Sequence, residues 1–251
     1  MSDASPSRPR GYTVVSGLVV LVFAGLWAFE GYYVVTAWIP ALYDEVTPIN
    51  GVAAGGYMTV MLVCAVAALW RPREAVGPSK VLVVGAGLLG LLMPLAFVLS
   101  APLVTAVGIA VAAAVLGTFL RLHPARQALD PRRSMALSLP LVVVTLTLAV
   151  PALWWALELQ WSQVTLEDDL ADRWFYGGLA MYLTATVAFA GLASIDGESR
   201  RSLGGVAVVL AGLLGAVSVV YPDEIHSLGV IGGALVLAWC VALCGALLAS
   251  K

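Results

Sequence analysis

The sequence predicts an all-α integral membrane protein folded as an eight-helix transmembrane bundle, and three observations carry that expectation. The first is composition: of 251 residues 61% are apolar, with 13 basic and 15 acidic side chains and a mean hydropathy of +0.96. A water-soluble domain is about 45–50% apolar and about 25% charged. The second is that the apolar residues fall into eight long, continuous runs. The third is that the basic residues gather in alternate connections between those runs. A net charge of −2 without a basic helix or arm argues against a nucleic-acid partner. So high an apolar content also argues against a disordered chain.

Crossing about 30 Å of hydrocarbon takes about 20 apolar residues in a helix. The runs are continuous rather than alternating, the pattern of spanning helices and not of barrel strands. They cover residues 13–38, 51–70, 81–99, 102–120, 135–157, 174–193, 203–221 and 228–249. A polar tail, residues 1–10, precedes a single transmembrane domain, residues 11–251, whose first run is long enough to act as an uncleaved anchor. Residues 81–120 need a division, because one helix of that length would measure about 60 Å, twice the bilayer. Pro102 suits the first turn of a new helix, which places the turn at Ser100-Ala101-Pro102. A re-entrant pair is the alternative. Pro94 and Pro140 fall inside runs and are expected to kink them.

With eight spans, both ends of the chain and the connections 71–80, 121–134 and 194–202 share one side. That side collects every Lys and Arg except Arg173. By the positive-inside rule both termini are expected in the cytoplasm. Eleven arginines against two lysines, in an Ala-, Val-, Leu- and Gly-rich chain, suggest a GC-rich prokaryotic genome and hence a prokaryotic plasma membrane. The opposite connections are acidic, and Trp27, Tyr32, Tyr33, Trp38, Trp154, Trp155 and Trp161 form an aromatic belt beside them.

The halves resemble each other. The pattern VxVVxAGLLG at Val81–Gly90 returns at Val206–Gly215, and Gly108 and Gly233 keep that offset of 125. Gly55-Gly56 matches Gly177-Gly178 at the starts of spans 2 and 6, and Pro40-Ala41-Leu42 matches Pro151-Ala152-Leu153 at the outer ends of spans 1 and 5. Two tandem, parallel four-helix repeats, residues 11–122 and 134–251, are therefore expected. The small-xxx-small pairs Gly51/Gly55, Ala86/Gly90, Ala211/Gly215 and Gly229/Gly233 suit close helix approach.

Ionisable groups in lipid are costly and mark candidate sites. Glu30, in WAFEGYY, stands about 27 Å along its helix from Tyr12, near the outer interface. Glu158 follows Trp154-Trp155, and Asp223 and His226 share an outer turn. These four make a candidate polar site at the outer face: the mouth of a carrier, or the acid–base groups of a surface enzyme. A solvated or interfacial position explains each of them as well, and the acidic run Glu167–Asp172 reads as a solvated helix. No ligand spacing points to a metal. Cys64, Cys240 and Cys244 lie in apolar runs and read as packing residues. His123 and His226 lie in loops, and Lys80 and Lys251 lie outside the runs, so neither haem ligation nor a retinal Schiff base is expected. No Asn or Gln falls inside a run, and neither a P-loop nor a nucleophile motif occurs. No cofactor is expected, and catalysis is left open with the balance against it. The leading expectation is an accessory, scaffold or sensor subunit, with the lipid bilayer and a membrane-protein partner or a second copy as its neighbours. The alternative is a carrier or channel for a small apolar or amphiphilic solute, with Glu30 near its outer mouth.

Overall fold

The computed structural model describes residues 10–39, 48–97, 102–130, 135–167 and 175–250; at 29–32, 91–97, 102–109 and 111–112 it describes the helix alone. Eight helices account for nearly all of it. They are α1 Arg10–Thr36, α2 Pro48–Trp70, α3 Val76–Phe97, α4 Pro102–Leu122, α5 Leu139–Thr165, α6 Phe175–Ile195, α7 Arg200–Val220 and α8 Gly229–Ala249. Among the described residues, six of these (α1, α2, α5, α6, α7 and α8) are long and apolar enough to cross a membrane. The described chain is helical, and these six helices suit a membrane protein. Pro102 opens α4 as its sequence context predicts, while Ser100 and Ala101 lie outside the described residues.

Four boundaries differ from expectation. Pro140 sits in the first turn of α5, where its missing N–H is no loss. The proline inside that helix is Pro151, which the matched triplets placed at a span end. The helix runs on to Thr165 because Leu159, Trp161 and Val164 continue the apolar pattern past Glu158. In the same way α2 begins at Pro48 and takes in Asn50, and α3 begins at Val76 and takes in Lys80. Asn50, Gln160 and Gln163 are thus helical, although the apolar runs had excluded Asn and Gln. The polar residues sit at helix ends, where hydropathy alone stops too early.

The packing follows one rule twice. Helix α1 packs on α2 and α4, and α3 links α2 to α4; α5 packs on α6 and α8, and α7 links α6 to α8. In the centre α2 and α3 each meet α6 and α7. Small residues explain this arrangement: α2 and α6 are rich in Gly and Ala and are the most buried of the six long helices, while α1 and α5 are the least. Apolar side chains have no drive to leave lipid, so close backbone approach decides which helices go inside. Leu18, Leu21, Val22, Val143, Leu146, Val150, Leu235 and Val241 stand exposed on the outer helices, as a lipid-facing surface requires. At the crossing of α7 and α8, a Cβ on Gly215 would lie 2.9 Å from the Gly233 carbonyl oxygen, and one on Gly233 2.6 Å from that of Gly215. The expected small-residue contact is therefore real at this pair, and only glycine fits there.

One end of the bundle is basic and carries a buried polar lattice. Lys80 Nζ lies 2.7 Å from Asp196 Oδ2 and 3.8 Å from Glu198 Oε2. The other Asp196 oxygen accepts the backbone N–H groups of Glu198 and Ser199 and so caps the approach to α7. Residues 136 and 138 donate backbone N–H bonds to the last carbonyls of α6, those of Ile195 and Ser194. Arg200 donates to the carbonyls of Ala193 and Ala136. Four orphan carbonyls end every helix, and here they find partners inside the protein.

Candidate functional site

A feature with room for a ligand lies in the second half of the chain. A cavity of about 460 Å³ opens between α5 and α8, with α6 and α7 as its floor. Thr147, Pro151 and Trp155 of α5 face Gly232, Val236 and Trp239 of α8. Leu183 and Thr186 of α6 and Ala211 and Leu214 of α7 close the inner side. Its volume falls within the range of about 300–1,000 Å³ that small-molecule sites occupy.

Local chemistry builds this space. Glycine at 232 and alanine at 152 and 211 leave volume unfilled between helices that are otherwise closely packed. Pro151 lacks the N–H that would bond the carbonyl of Thr147 one turn earlier, and so loosens α5 along the cavity. Trp239 donates its indole N–H to the carbonyl of Val144 at 2.6 Å, which pins α8 to α5 at the inner limit of the cavity. Leu228, in the turn before α8, forms the limit at the opposite, acidic end.

That turn is held by the residues around His226. Its backbone is left-handed, with φ +66°, a conformation that histidine tolerates better than most residues. The ring nitrogen Nδ1 lies 3.2 Å from the amide nitrogen of Asn50, in the first turn of α2. The ring also meets Tyr176 edge-on, with centroids 5.0 Å apart. Ser218 and Ser227 add bonds across the turn: the Ser218 hydroxyl accepts the Leu228 N–H, and the Ser227 hydroxyl accepts the Gly229 N–H. His226 thus fixes the roof of the cavity by joining the first half of the chain to the second. Asn50 escaped the sequence reading, and Tyr176 reads from sequence only as one more aromatic of the outer belt. Their signal was a lone amide and a lone tyrosine, each at the start of an apolar run.

The other expected site residues are dispersed among these elements. Glu158 is exposed on α5, and its Oε1 accepts the indole N–H of Trp154 at 2.9 Å. It continues the stripe of Thr147, Pro151 and Trp155 by one further turn, beyond the acidic end of the cavity. Asp223 is exposed on the turn that carries His226. Glu30 lies in α1, in the other half of the chain, and its side chain is outside the described residues. Glu167 is exposed beyond the end of α5, and residues 168–174 lie outside the described residues. Among the described residues no group of three His, Cys, Asp or Glu side chains could hold a metal ion. Cys64 and Cys240 are buried and Cys244 is exposed, all as free thiols.

At the basic end His123 is almost wholly buried, though it lies in a loop. Its Nδ1 accepts the backbone N–H of Ala125 at 3.1 Å, so the proton of the neutral ring sits on Nε2, which donates to Ser79 Oγ at 3.1 Å. The Tyr12 ring packs edge-on against it, with centroids 5.2 Å apart. Burial pushes the His123 pKa down to about 4.

No protein-family model, curated protein or solved structure matches this chain; its function is therefore argued from its own residues.

Proposed function

We propose that this protein binds a small apolar or amphiphilic molecule within the membrane, as a carrier or ligand sensor rather than a catalyst. The observation that carries the reading is the cavity of about 460 Å³ between α5 and α8, apolar throughout apart from two threonine hydroxyls and two indoles. An apolar ligand gains little by moving from lipid into such a space unless shape selects it. The fixed roof at His226 and the pinned inner limit at Trp239 supply that shape. The proposal includes two tandem, parallel four-helix units, all eight helices spanning a prokaryotic plasma membrane with both termini in the cytoplasm. The repeated packing pattern, the Val81–Gly90 and Val206–Gly215 match and the one-sided Lys and Arg distribution support it.

The test is purification in mild detergent from the native host, followed by mass spectrometry of bound small molecules. Wild type should retain a hydrophobic compound that Ala152→Phe, which fills the cavity, does not. Equal retention by both proteins, or by neither, defeats the binding reading. A second reading, an accessory or sensor subunit, is favoured by the close central packing of α2, α3, α6 and α7, which suits a fixed scaffold. It predicts a stoichiometric protein partner in the same preparation.

A further inference from the structure

We infer that the cavity takes a single-chain amphiphile with an amine-type cationic head, its tail between α5 and α8 and its head at Glu158. This rests on the binding reading above and names its ligand class. The residues of α5 that line the cavity, Thr147, Leu148, Pro151, Ala152 and Trp155, recur at helical spacing. One turn beyond Trp155, the same stripe turns polar at Glu158 and then Ser162. From Thr147 to Glu158 is about 16 Å along the helix, the reach of a medium-length extended alkyl chain.

Charge then selects the head. An ionised carboxylate only accepts hydrogen bonds, and bonds from a cationic donor are about twice as strong as neutral ones. The described bond to Glu158 comes from Trp154 and engages Oε1, leaving the second oxygen to meet a ligand donor. Trp155 lies at the polar limit of the cavity, where an indole face favours an ammonium group. Among the described residues the acidic end holds Glu158, Glu167, Asp223 and Glu224 and no Lys or Arg, so an anionic head meets like charge from these carboxylates.

The experiment uses the full chain in phosphatidylcholine vesicles at neutral pH. Three probes share one tail: 12-bromododecylamine, 12-bromododecanol and 12-bromododecanoate. Bromine quenches tryptophan fluorescence, and Trp155 and Trp239 line the cavity. Quenching from probe dissolved in the bilayer is subtracted with Ala152→Phe, or with Thr186→Met should that variant fold poorly. The amine should half-saturate the cavity-dependent signal at a concentration at least ten-fold below the alcohol, and the carboxylate should be weakest. Glu158→Gln, at an exposed position, should bring the amine to the level of the alcohol. An amine no better than the alcohol, or an advantage that survives Glu158→Gln, overturns the head-group assignment while leaving the cavity as a binding site. No cavity-dependent quenching by any probe overturns the binding reading itself.

Discussion

Two side chains show what burial does to single ionisable residues here. A protonated His123 would carry a hydrogen on Nδ1 directed at the N–H of Ala125, and its charge would lie against the Tyr12 and Phe119 rings. The folded protein therefore resists protonation until about pH 4, while the unfolded chain takes up the proton near pH 6.5. The contribution of His123 is full above pH 6.5 and is lost as pH falls towards 4. The loss should reach about 3 kcal/mol, since each tenfold in proton affinity is about 1.4 kcal/mol. Thermal unfolding in detergent should show this slope in wild type and a shallower one in His123→Phe; parallel slopes would refute it. Lys80 makes the complementary case. Lys80→Met leaves the buried Asp196 without its cation and should cost about 3–5 kcal/mol. Adding Asp196→Asn should recover most of that loss, because the amide oxygen still accepts the Glu198 and Ser199 N–H groups. If the double variant is no more stable than Lys80→Met, the ion pair is not the source of the loss. Neither residue announced itself in the sequence. Each looked like a loop charge, and its burial depends on partners 44 and 116 positions away.

The helices carry a correspondence that the apolar pattern gave only in part. Tyr57 donates its hydroxyl to the carbonyl of Gly85 and Tyr182 to that of Leu210, both across 28 residues and offset by 125. Thr59 and Thr184, two places on from each tyrosine, bond back to the carbonyls of Gly55 and Ala180 at the same offset. The Val81 and Val206 match has this offset and was legible directly. The matches at Gly55-Gly56 and Pro40 have other offsets, and Pro151 lies mid-helix rather than at an end. A better register for α1 and α5 is 128, where Trp27-Ala28-Phe29-Glu30 meets Trp155-Ala156-Leu157-Glu158. It pairs the two candidate glutamates, and it escaped notice because only three of its four letters repeat. Packing at the tyrosine sites gives a test. A Cβ on Gly85 would lie 2.3 Å from Met61 Sδ, while the positions 125 further on hold Leu210 and Thr186, with large and small exchanged. Gly85→Leu should therefore destabilise the protein by several kcal/mol, within the range of about 1–3 kcal/mol or more that overpacking costs. Met61→Thr in the same chain should restore most of it. Failure of the second change to help would dissociate the two sites. Gly233→Leu should likewise separate α7 from α8 and lower the melting temperature, with no single compensating change, because its obstacles are the Gly215 carbonyl and the Val219 backbone.

For the whole molecule, composition and run length were enough to read a helical membrane protein, because a bilayer leaves few choices of backbone. Which helices lie inside was less legible, since hydropathy does not distinguish a lipid-facing leucine from a buried one. The cavity was not legible at all: it arises from what Ala152, Ala211 and Gly232 leave empty. The eight-span topology can be checked with a single cysteine at Ser100 in a chain cleared of Cys64, Cys240 and Cys244. If α3 and α4 both cross, a membrane-impermeant maleimide added outside intact cells should label that position and not one placed at Ser250. Labelling at both positions, or at Ser250 alone, would reject the arrangement. The buried Lys80 also bears on synthesis. Its counter-charge, Asp196, lies 116 residues downstream, and at 5–20 residues per second the ribosome needs roughly 6–23 s to make that stretch. Through that interval the first four helices hold Lys80 without the Asp196 carboxylate that meets it in the finished fold, so the earlier half of this protein completes its contacts only after the later half has been made.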